Sequence, residues 1–454
     1  MLVSIFLKER NYYMRIFTFK GGIHPNDGKI LSKDKAIQTI LPTGDLIFPL
    51  SQHIGAPAKP IVEVGDYVLK GQKIAEANGV MSAPVYSSVS GTVKAIEKHF
   101  NPTGTKVDCI IVENDSEFKE VERAQVKPLE QLTKEEILNM IGDAGIVGLG
   151  GAGFPTKVKL SPKNPEEIKY IIANGAECEP YITADYRCML EQPELLVSGM
   201  KVVLQVFEQA KGIIAIEDNK KDCIEKICEL IKDEPRIEVK ALKAKYPQGS
   251  ERQMIYATTG KAIDSTKLPA DAGCIVDNVE TLMAIHSAVI EGKPLTERIV
   301  TVSGNGVTEP SNFRVLLDTN QQELIEAAGG LNGEPEKIIS GGPMMGFAMF
   351  TVDTPITKTS SSLLCLKKDV VAEHETSACI QCGRCVTVCP SRIVPARLAD
   401  YAERYDEEEF VKWNGMECIE CGCCSYKCPA KRQLKQSIAT MKKMVIRNRR
   451  QREN

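Results

Sequence analysis

The chain has 454 residues, 43% hydrophobic and 26% charged, with a formal net charge of -3. This is an ordinary globular composition with room for roughly three domains at ~150 residues each, and the slight acidity excludes a general nucleic-acid binder. No apolar run reaches the ~18 residues of a membrane span, and Leu2 to Leu7 is too short an apolar core for a signal peptide.

The N-terminal segment, 1–39, contains MRIFTFKGGIHP beginning at Met14. That stretch reads as a natural start, with residues 1–13 as an upstream extension. From 40 to 115 the chain is rich in valine, glycine and proline, in short alternating runs (PIVEVGDYVLKGQKIAEA, SAPVYSSVSGTVKAIEK) that predict strands joined by glycine turns. This pattern is similar to the barrel-sandwich of biotinyl and lipoyl domains. Those domains carry their cofactor on a lysine at a hairpin tip. Here the tip reads EANGVMSAP and has none, which leaves a structural or docking module.

Residues 125–295 alternate helical and strand patterns. A helix is expected around Ile137, Met140 and Ile141, followed by five glycines between Gly145 and Gly153. Gly148, Gly150 and Gly153 satisfy GxGxxG, but a dinucleotide fingerprint needs a strand before the loop and a helix after it. Phe154-Pro155-Thr156 should not start a helix smoothly, because proline restricts its predecessor. Such a loop is either a plain surface turn or a backbone that approaches a flat ligand or phosphate with free N–H groups. IKYIIANGAECEP predicts a buried strand ending near Asn174, KGIIAIED another, and helices fit 189–209 and 219–232. Polar turns at YPQGSE and DNVET run into further helices. An α/β layer of this kind binds ligands at the carboxyl ends of its strands.

Near the C-terminus, Cys379, Cys382, Cys385 and Cys389 precede Pro390, and Cys418, Cys421, Cys424 and Cys428 precede Pro429. Two such runs are the ligand set of two [4Fe-4S] clusters, the fourth cysteine of each serving the other cube. The expected sets are therefore Cys379, Cys382, Cys385 with Cys428, and Cys418, Cys421, Cys424 with Cys389. Zinc sites use CxxC pairs without this doubled rhythm. Clusters require a reducing compartment, so the chain is expected to be cytoplasmic. The residues between the runs have helical periodicity, predicting a helical ferredoxin domain over 365–435. The basic tail, 436–454, is helical in pattern and reads either as a solvated end or as a contact for anionic lipid or an acidic partner. The histidines (His24, His53, His99, His286, His374) form no ligand pattern.

The segments GLGGAGFPTK, NGAECEP, YPQGSE and NVET, in this order, resemble the NADH-oxidising, FMN-carrying subunit of respiratory complex I. With GGIHP, the barrel-sandwich, RIVTVSGNGVTEPSNFRVLLDT, KIISGGPMMG and the doubled cysteine run, the resemblance extends over almost the whole chain to the RnfC family of Rnf complexes, the membrane-bound bacterial ferredoxin:NAD oxidoreductases. It implies an α/β and α+β multidomain fold: the barrel-sandwich, a Rossmann-like FMN/NADH domain, a soluble-ligand-binding β-grasp domain over 296–350, and the ferredoxin domain.

It also implies roles. Gly148, Gly150, Gly151 and Gly153 would shape the loop against FMN and NAD(H), Phe154 would stack on the dinucleotide, and Lys159 would reach flavin or phosphate oxygens. Asn174, Glu177, Tyr246, Gly249, Glu251 and Asn278 would hold the flavin, and Glu179 would meet the ribose or nicotinamide end of NADH. Leu149, Ala176 and Cys178 depart from the complex I pattern. The implied partners are other subunits of a membrane complex and, indirectly, ferredoxin, with the chain peripheral at the cytoplasmic face of the bacterial membrane. No side chain is expected to act as an acid–base catalyst. Two alternatives stand beside this reading: a diaphorase subunit of another oxidoreductase, which would be expected to lack GGIHP and the barrel-sandwich, and an electron-carrying adaptor whose flavin site has decayed.

Overall fold

A computed structural model describes residues 4–7, 12–123 and 125–453. The largest apolar core belongs to the α/β domain. Its sheet runs Ser4–Leu7, Tyr12–Phe17, Ile237–Leu242, Lys211–Glu217, Tyr170–Gly175, Cys274–Asn278. The last four strands are mutually parallel. Strands of this kind are covered on both faces, and every residue from Gly212 to Glu217 is buried. The N-terminal segment is part of this sheet, because Ile16 and Phe17 pair in parallel with Ala241 and Leu242. Of residues 1–13, only Ser4–Leu7 and the strand beginning at Tyr12 fall within the described residues; their backbones pair antiparallel.

Two expected helix boundaries are corrected. The helix over 189–209 is two helices, Ala184–Glu191 and Pro193–Val206. Gln192 leaves helical geometry at φ -137, ψ 47, and Pro193 has no N–H to continue the ladder. Pro155 does not prevent a helix: it sits at the N-cap of the short helix Thr156–Lys159, where leading N–H groups lack intrahelical acceptors anyway. The helix before the glycine loop is Lys134–Asp143, started by a capping box in which Thr133 and Glu136 satisfy each other's backbone N–H.

The barrel-sandwich consists of one sheet ordered Leu46–Pro49, Lys106–Asn114, Gly91–Phe100, Tyr67–Val68 and another ordered Lys59–Pro60, Lys73–Glu76, Val85–Tyr86. They enclose a core of Phe48, Ile74, Val89 and Ile110. The next sheet runs Phe347–Met349, Lys337–Ser340, Ser362–Leu366, Glu297–Ser303, Ser311–Leu316, Gln38–Thr39, with Leu324 and Ile325 of helix Gln321–Ala327 in its core. Ser362–Leu366 lies inside that sheet, past residue 350. SLLCL is fully apolar after its serine, without the alternation that marks a half-buried strand.

In the cysteine domain short helices Arg384–Val388 and Cys423–Lys427 each carry the third cysteine of a run. Pro395–Glu403, Glu407–Lys412 and Leu434–Glu453 pack around Phe410. The last helix spans most of the expected tail, and its Ile438, Met441 and Val445 lie in the core with Leu398 and Ala399. Two basic residues of this helix are paired within the chain, Lys442 with Glu420 and the exposed Arg452 with Glu407, and Arg432 just before it pairs with Asp400 and Glu403.

Candidate functional site

Asn174 and Asn278 are register partners at the carboxyl ends of adjacent parallel strands, where open α/β sheets receive ligands. Asn174 Nδ2 donates to Gly249 O at 2.8 Å, and its Oδ1 accepts from Ala176 N at 3.2 Å. Asn278 Oδ1 caps the helix Val279–Ile290 by accepting from Glu280 N at 2.8 Å, and its Nδ2 donates to Asp185 Oδ2 at 2.7 Å. Lys159 Nζ donates to Val276 O at 2.8 Å and to Asp277 Oδ1 at 2.9 Å. Glu251 opens the helix Glu251–Thr259; burial pushes its carboxyl upward and Lys159 pulls it back. Four separate segments of sequence thus meet at the end of one sheet.

The glycine loop closes with Gly148 N donating to Phe154 O at 2.9 Å. The N–H groups of Gly150, Gly151 and Ala152 take no part in the loop's backbone bonding. A Cβ on Gly150 would lie 2.8 Å from Asn278 Cβ, so this backbone presses on the strand ends, whereas a Cβ on Gly151 would meet nothing within 4 Å. Gly153 also faces the barrel-sandwich. At φ +69 its Cβ would stand 2.9 Å from Thr359 Cγ2 and 3.1 Å from Gln52 O, and its carbonyl accepts from Ile54 N at 3.2 Å. It joins the loop to the barrel-sandwich. Phe154 is half-buried at the loop's return.

Glu177 adopts φ 47, which turns the chain directly after the strand. Its Oε1 accepts from Asp185 N at 2.7 Å, and its Oε2 lies 3.7 Å from Lys29 Nζ. Lys29 was not predicted from the sequence. It donates to Glu179 O at 3.1 Å and to Ile182 O, and no local pattern in a lone lysine of a polar stretch could have revealed that. Asp185 was missed likewise; burial, then the Glu177 charge, raises its pKa to about 8. Glu179 Oε2 accepts from Met344 N at 3.1 Å, tying this carboxylate to the KIISGGPMMG segment, and burial raises its pKa to about 7. Tyr246 is buried, and its only hydroxyl proton goes to Cys421 O at 2.8 Å. Gly249 N donates to Cys178 Sγ at 3.2 Å.

Cys389, Cys418, Cys421, Cys423 and Cys424 line one small cavity, with Pro390, Lys435 and Ile438. The grouping follows from the fold: Cys389 ends the helix Arg384–Val388 that packs against Cys423–Lys427. Cys379 and Cys382 are exposed, Cys385 is buried and Cys428 is half-buried. Cys423 is also buried, with Sγ 3.9 Å from Tyr246 O. Among the described residues no three ligand-type side chains converge as on a single metal ion; several thiols around one shared cavity suit a multi-atom cluster instead.

The strand ends suit a polar, flat group. Glu177 Oε2, Glu179 Oε1, Gln248 Nε2 and Asp277 Oδ2 are buried without a hydrogen-bond partner among the described residues, and buried polar atoms ordinarily have one. Beside them is the loop whose free N–H groups and open Gly151 leave room for a ligand. A larger cavity, about 880 Å³, is lined by Glu120, Lys127, Met140, Met283 and Arg298; of the loop it touches Leu149, and it contains none of the four residues with unpartnered atoms.

Comparison with known proteins matches residues 141–287 to the Nuo51 FMN-binding domain and 372–429 to a 4Fe-4S dicluster domain. Residues 17–117 match the RnfC barrel sandwich hybrid domain and 299–348 the SLBB domain. In the solved structures, the H2-reduced NAD+-reducing [NiFe]-hydrogenase shares the fold at 19% identity and a TM-score of 0.50, covering 71% of this chain and 62% of that one. Fold and site together define a multidomain electron-transfer protein that takes FMN and two [4Fe-4S] clusters.

The C component of the Na(+)-translocating ferredoxin:NAD(+) oxidoreductase complex of Acetobacterium woodii is 43% identical over 436 residues, 95% of this chain and 98% of that protein. The proton-translocating counterpart of Clostridium ljungdahlii is 43% identical over 94% of this chain and 93% of its own. The C component of the ion-translocating oxidoreductase complex of Rhodobacter capsulatus is 38% identical over 85% and 75%. The chain belongs to the RnfC family.

Proposed function

We propose that this chain is the peripheral subunit through which a membrane-associated, ion-translocating ferredoxin:NAD oxidoreductase exchanges electrons with NAD(H). FMN, when bound, supplies the conversion between a two-electron hydride and single electrons. The chain's own residues bind, orient and insulate. In this reading the N–H groups at Gly150 and Gly151, with Gly148 at the loop's root, face the flavin and dinucleotide, Phe154 stacks on the dinucleotide, and Gly153 holds the loop to its neighbour. Lys159 has one proton left for a flavin or phosphate oxygen. Asn174, Glu177, Gly249, Glu251 and Asn278 hold the flavin. Tyr246 contributes its ring and backbone, since its hydroxyl proton is used. Glu179 offers the unpartnered Oε1 to the ribose or nicotinamide end of NADH. Cys379, Cys382, Cys385 and Cys428 would ligate one cluster, and Cys418, Cys421, Cys424 and Cys389 the other.

The observation that carries the reading is the hydrogen bond from Tyr246, beside Gly249, to the carbonyl of Cys421, because it sets the thiol-lined cavity directly against the flavin-domain segment. The barrel-sandwich match favours this family over a diaphorase subunit of another enzyme. No helix among the described residues is long and apolar enough to cross a membrane. Attachment at the cytoplasmic face would rest on other subunits and on the exposed bases Lys443, Arg447 and Arg449 of the last helix, which suit anionic headgroups or an acidic partner. Ferredoxin's electrons would arrive through those subunits.

The test is anaerobic purification with the membrane complex, then addition of NADH. Bleaching of both flavin and cluster absorbance is expected. A preparation that releases no fluorescent FMN on acid extraction would overturn the reading.

A further inference from the structure

The GGIHP stretch has no role in the site described so far, yet its first three residues lie between the two halves of the electron path. Gly22 N donates to Val388 O at 2.8 Å, in the turn of helix that leads to Cys389. On the other side Ile23 N donates to Tyr246 O at 2.8 Å, and Tyr246 N donates to Ile23 O at 2.9 Å. Ile23, Tyr246, Val388, Cys421 and Cys423 form one small apolar core, separate from the cores of the two domains it joins.

Both glycines are required by geometry. Gly21 has φ +89 and a Cβ there would be 2.9 Å from Cys389 O; Gly22 has φ +83 and a Cβ would be 2.7 Å from Tyr246 O. The obstructing atoms are backbone carbonyls that no rotamer can move aside. Only glycine lets one strand of chain touch the carbonyl of a cluster cysteine and that of Tyr246 together.

We infer that Gly21, Gly22 and Ile23 are a positioning strap that fixes the separation between the flavin domain and the cavity of Cys389, Cys418, Cys421 and Cys424. The strap breaks no bond and carries no electron. It acts on distance, on which electron tunnelling depends steeply, and it closes the seam to water with Tyr246, whose hydroxyl holds Cys421 from the opposite side. The inference rests on the functional reading above.

The test uses the full complex carrying Gly21→Ala. NADH should still reduce the flavin at the wild-type rate, because Gly21 touches no candidate flavin or dinucleotide residue. Bleaching of the clusters after flavin reduction should slow several-fold. Independently of turnover, iron should leave one of the two clusters faster when a chelator is added, and the paramagnetic signal of that cluster should change. Wild-type cluster reduction together with wild-type iron retention would overturn the strap. If Gly21→Ala does not accumulate as folded protein, Tyr246→Phe keeps the strap's backbone and removes only the bond to Cys421. A shifted midpoint potential of one cluster supports the seam, and an unshifted one overturns it. Failure of NADH to reduce anything in the wild-type complex would instead overturn the functional reading.

Discussion

Arg252 Nη1 lies 2.9 Å from Glu417 Oε2, one residue before the second cysteine run. The pair spans from the Glu251–Thr259 helix of the flavin domain to the ferredoxin domain, and Ser265 N donates to the other oxygen, Glu417 Oε1, at 3.0 Å. Both charged side chains are about a quarter exposed, at 25% and 27%. A double-mutant cycle of Arg252→Gln and Glu417→Gln is expected to give a coupling of about 1 kcal/mol or less, weakening as salt is raised. A coupling indifferent to salt would show that the contact is not electrostatic.

Gly151→Val and Gly150→Val should separate ligand binding from folding. Gly151 is exposed, and its Cβ would meet nothing in the chain, so Gly151→Val should fold, keep both clusters and accept electrons from dithionite, yet lose reduction by NADH. Gly150→Val should instead cost stability of about 1–3 kcal/mol, because its Cβ would collide with Asn278. Thermal unfolding alongside NADH-driven bleaching distinguishes them. Full NADH reduction in Gly151→Val would make the loop a plain turn.

The two neighbouring cysteines Cys423 and Cys424 offer a check of the ligand register. Both line the same thiol-lined cavity, but Cys423 Sγ packs toward Tyr246 O at 3.9 Å, whereas Cys424 is the third cysteine of the run. Cys423→Ser should leave about eight iron atoms per chain, and Cys424→Ser should lose roughly half of them. Iron assay with alkylation of free thiols reads the outcome, and the reverse result would shift the register by one.

Removing the Lys29 ammonium should destabilise the α/β domain. Lys29→Met leaves Glu177 Oε2 without its 3.7 Å ion pair and the carbonyls of Glu179 and the buried Ile182 without this donor. Breaking a buried pair from one side costs about 3–5 kcal/mol, measured as a lower denaturation midpoint. A change within experimental scatter would mean that water replaces the ammonium.

Glu179 predicts a pH dependence. Burial raises its folded pKa to about 7 from the ordinary 4.5, so the folded state holds the proton more tightly than the unfolded state. The associated stability is complete below about pH 4.5 and is lost as pH rises through 7, on the order of 3 kcal/mol across the window. Glu179→Gln should flatten the fall in unfolding temperature between about pH 5.5 and 8 relative to wild type. Parallel curves would show that Glu179 is ionised throughout.

Features that depend on local pattern were legible along the chain. The doubled cysteine runs marked two clusters, because thiolates in one tight loop must keep fixed spacings. The strand KGIIAIE was readable because a strand covered on both faces is apolar at nearly every position, and Lys134–Asp143 because its apolar stripe of Ile137, Met140 and Ile141 is local. Features that depend on distant neighbours emerged only from the folded chain. Lys29 reaches Glu177 and Glu179 across some 150 positions, and Ser362–Leu366 becomes an inner strand only because Glu297–Ser303 and Lys337–Ser340 flank it. Gly153 also joins the loop to the barrel-sandwich, through contacts with Gln52 and Ile54 that its motif does not show. Lys442 of the tail pairs with Glu420 because the apolar stripe of its helix packs on Leu398. Burial and ion pairing are properties of three-dimensional neighbourhoods, and no window of sequence contains both partners.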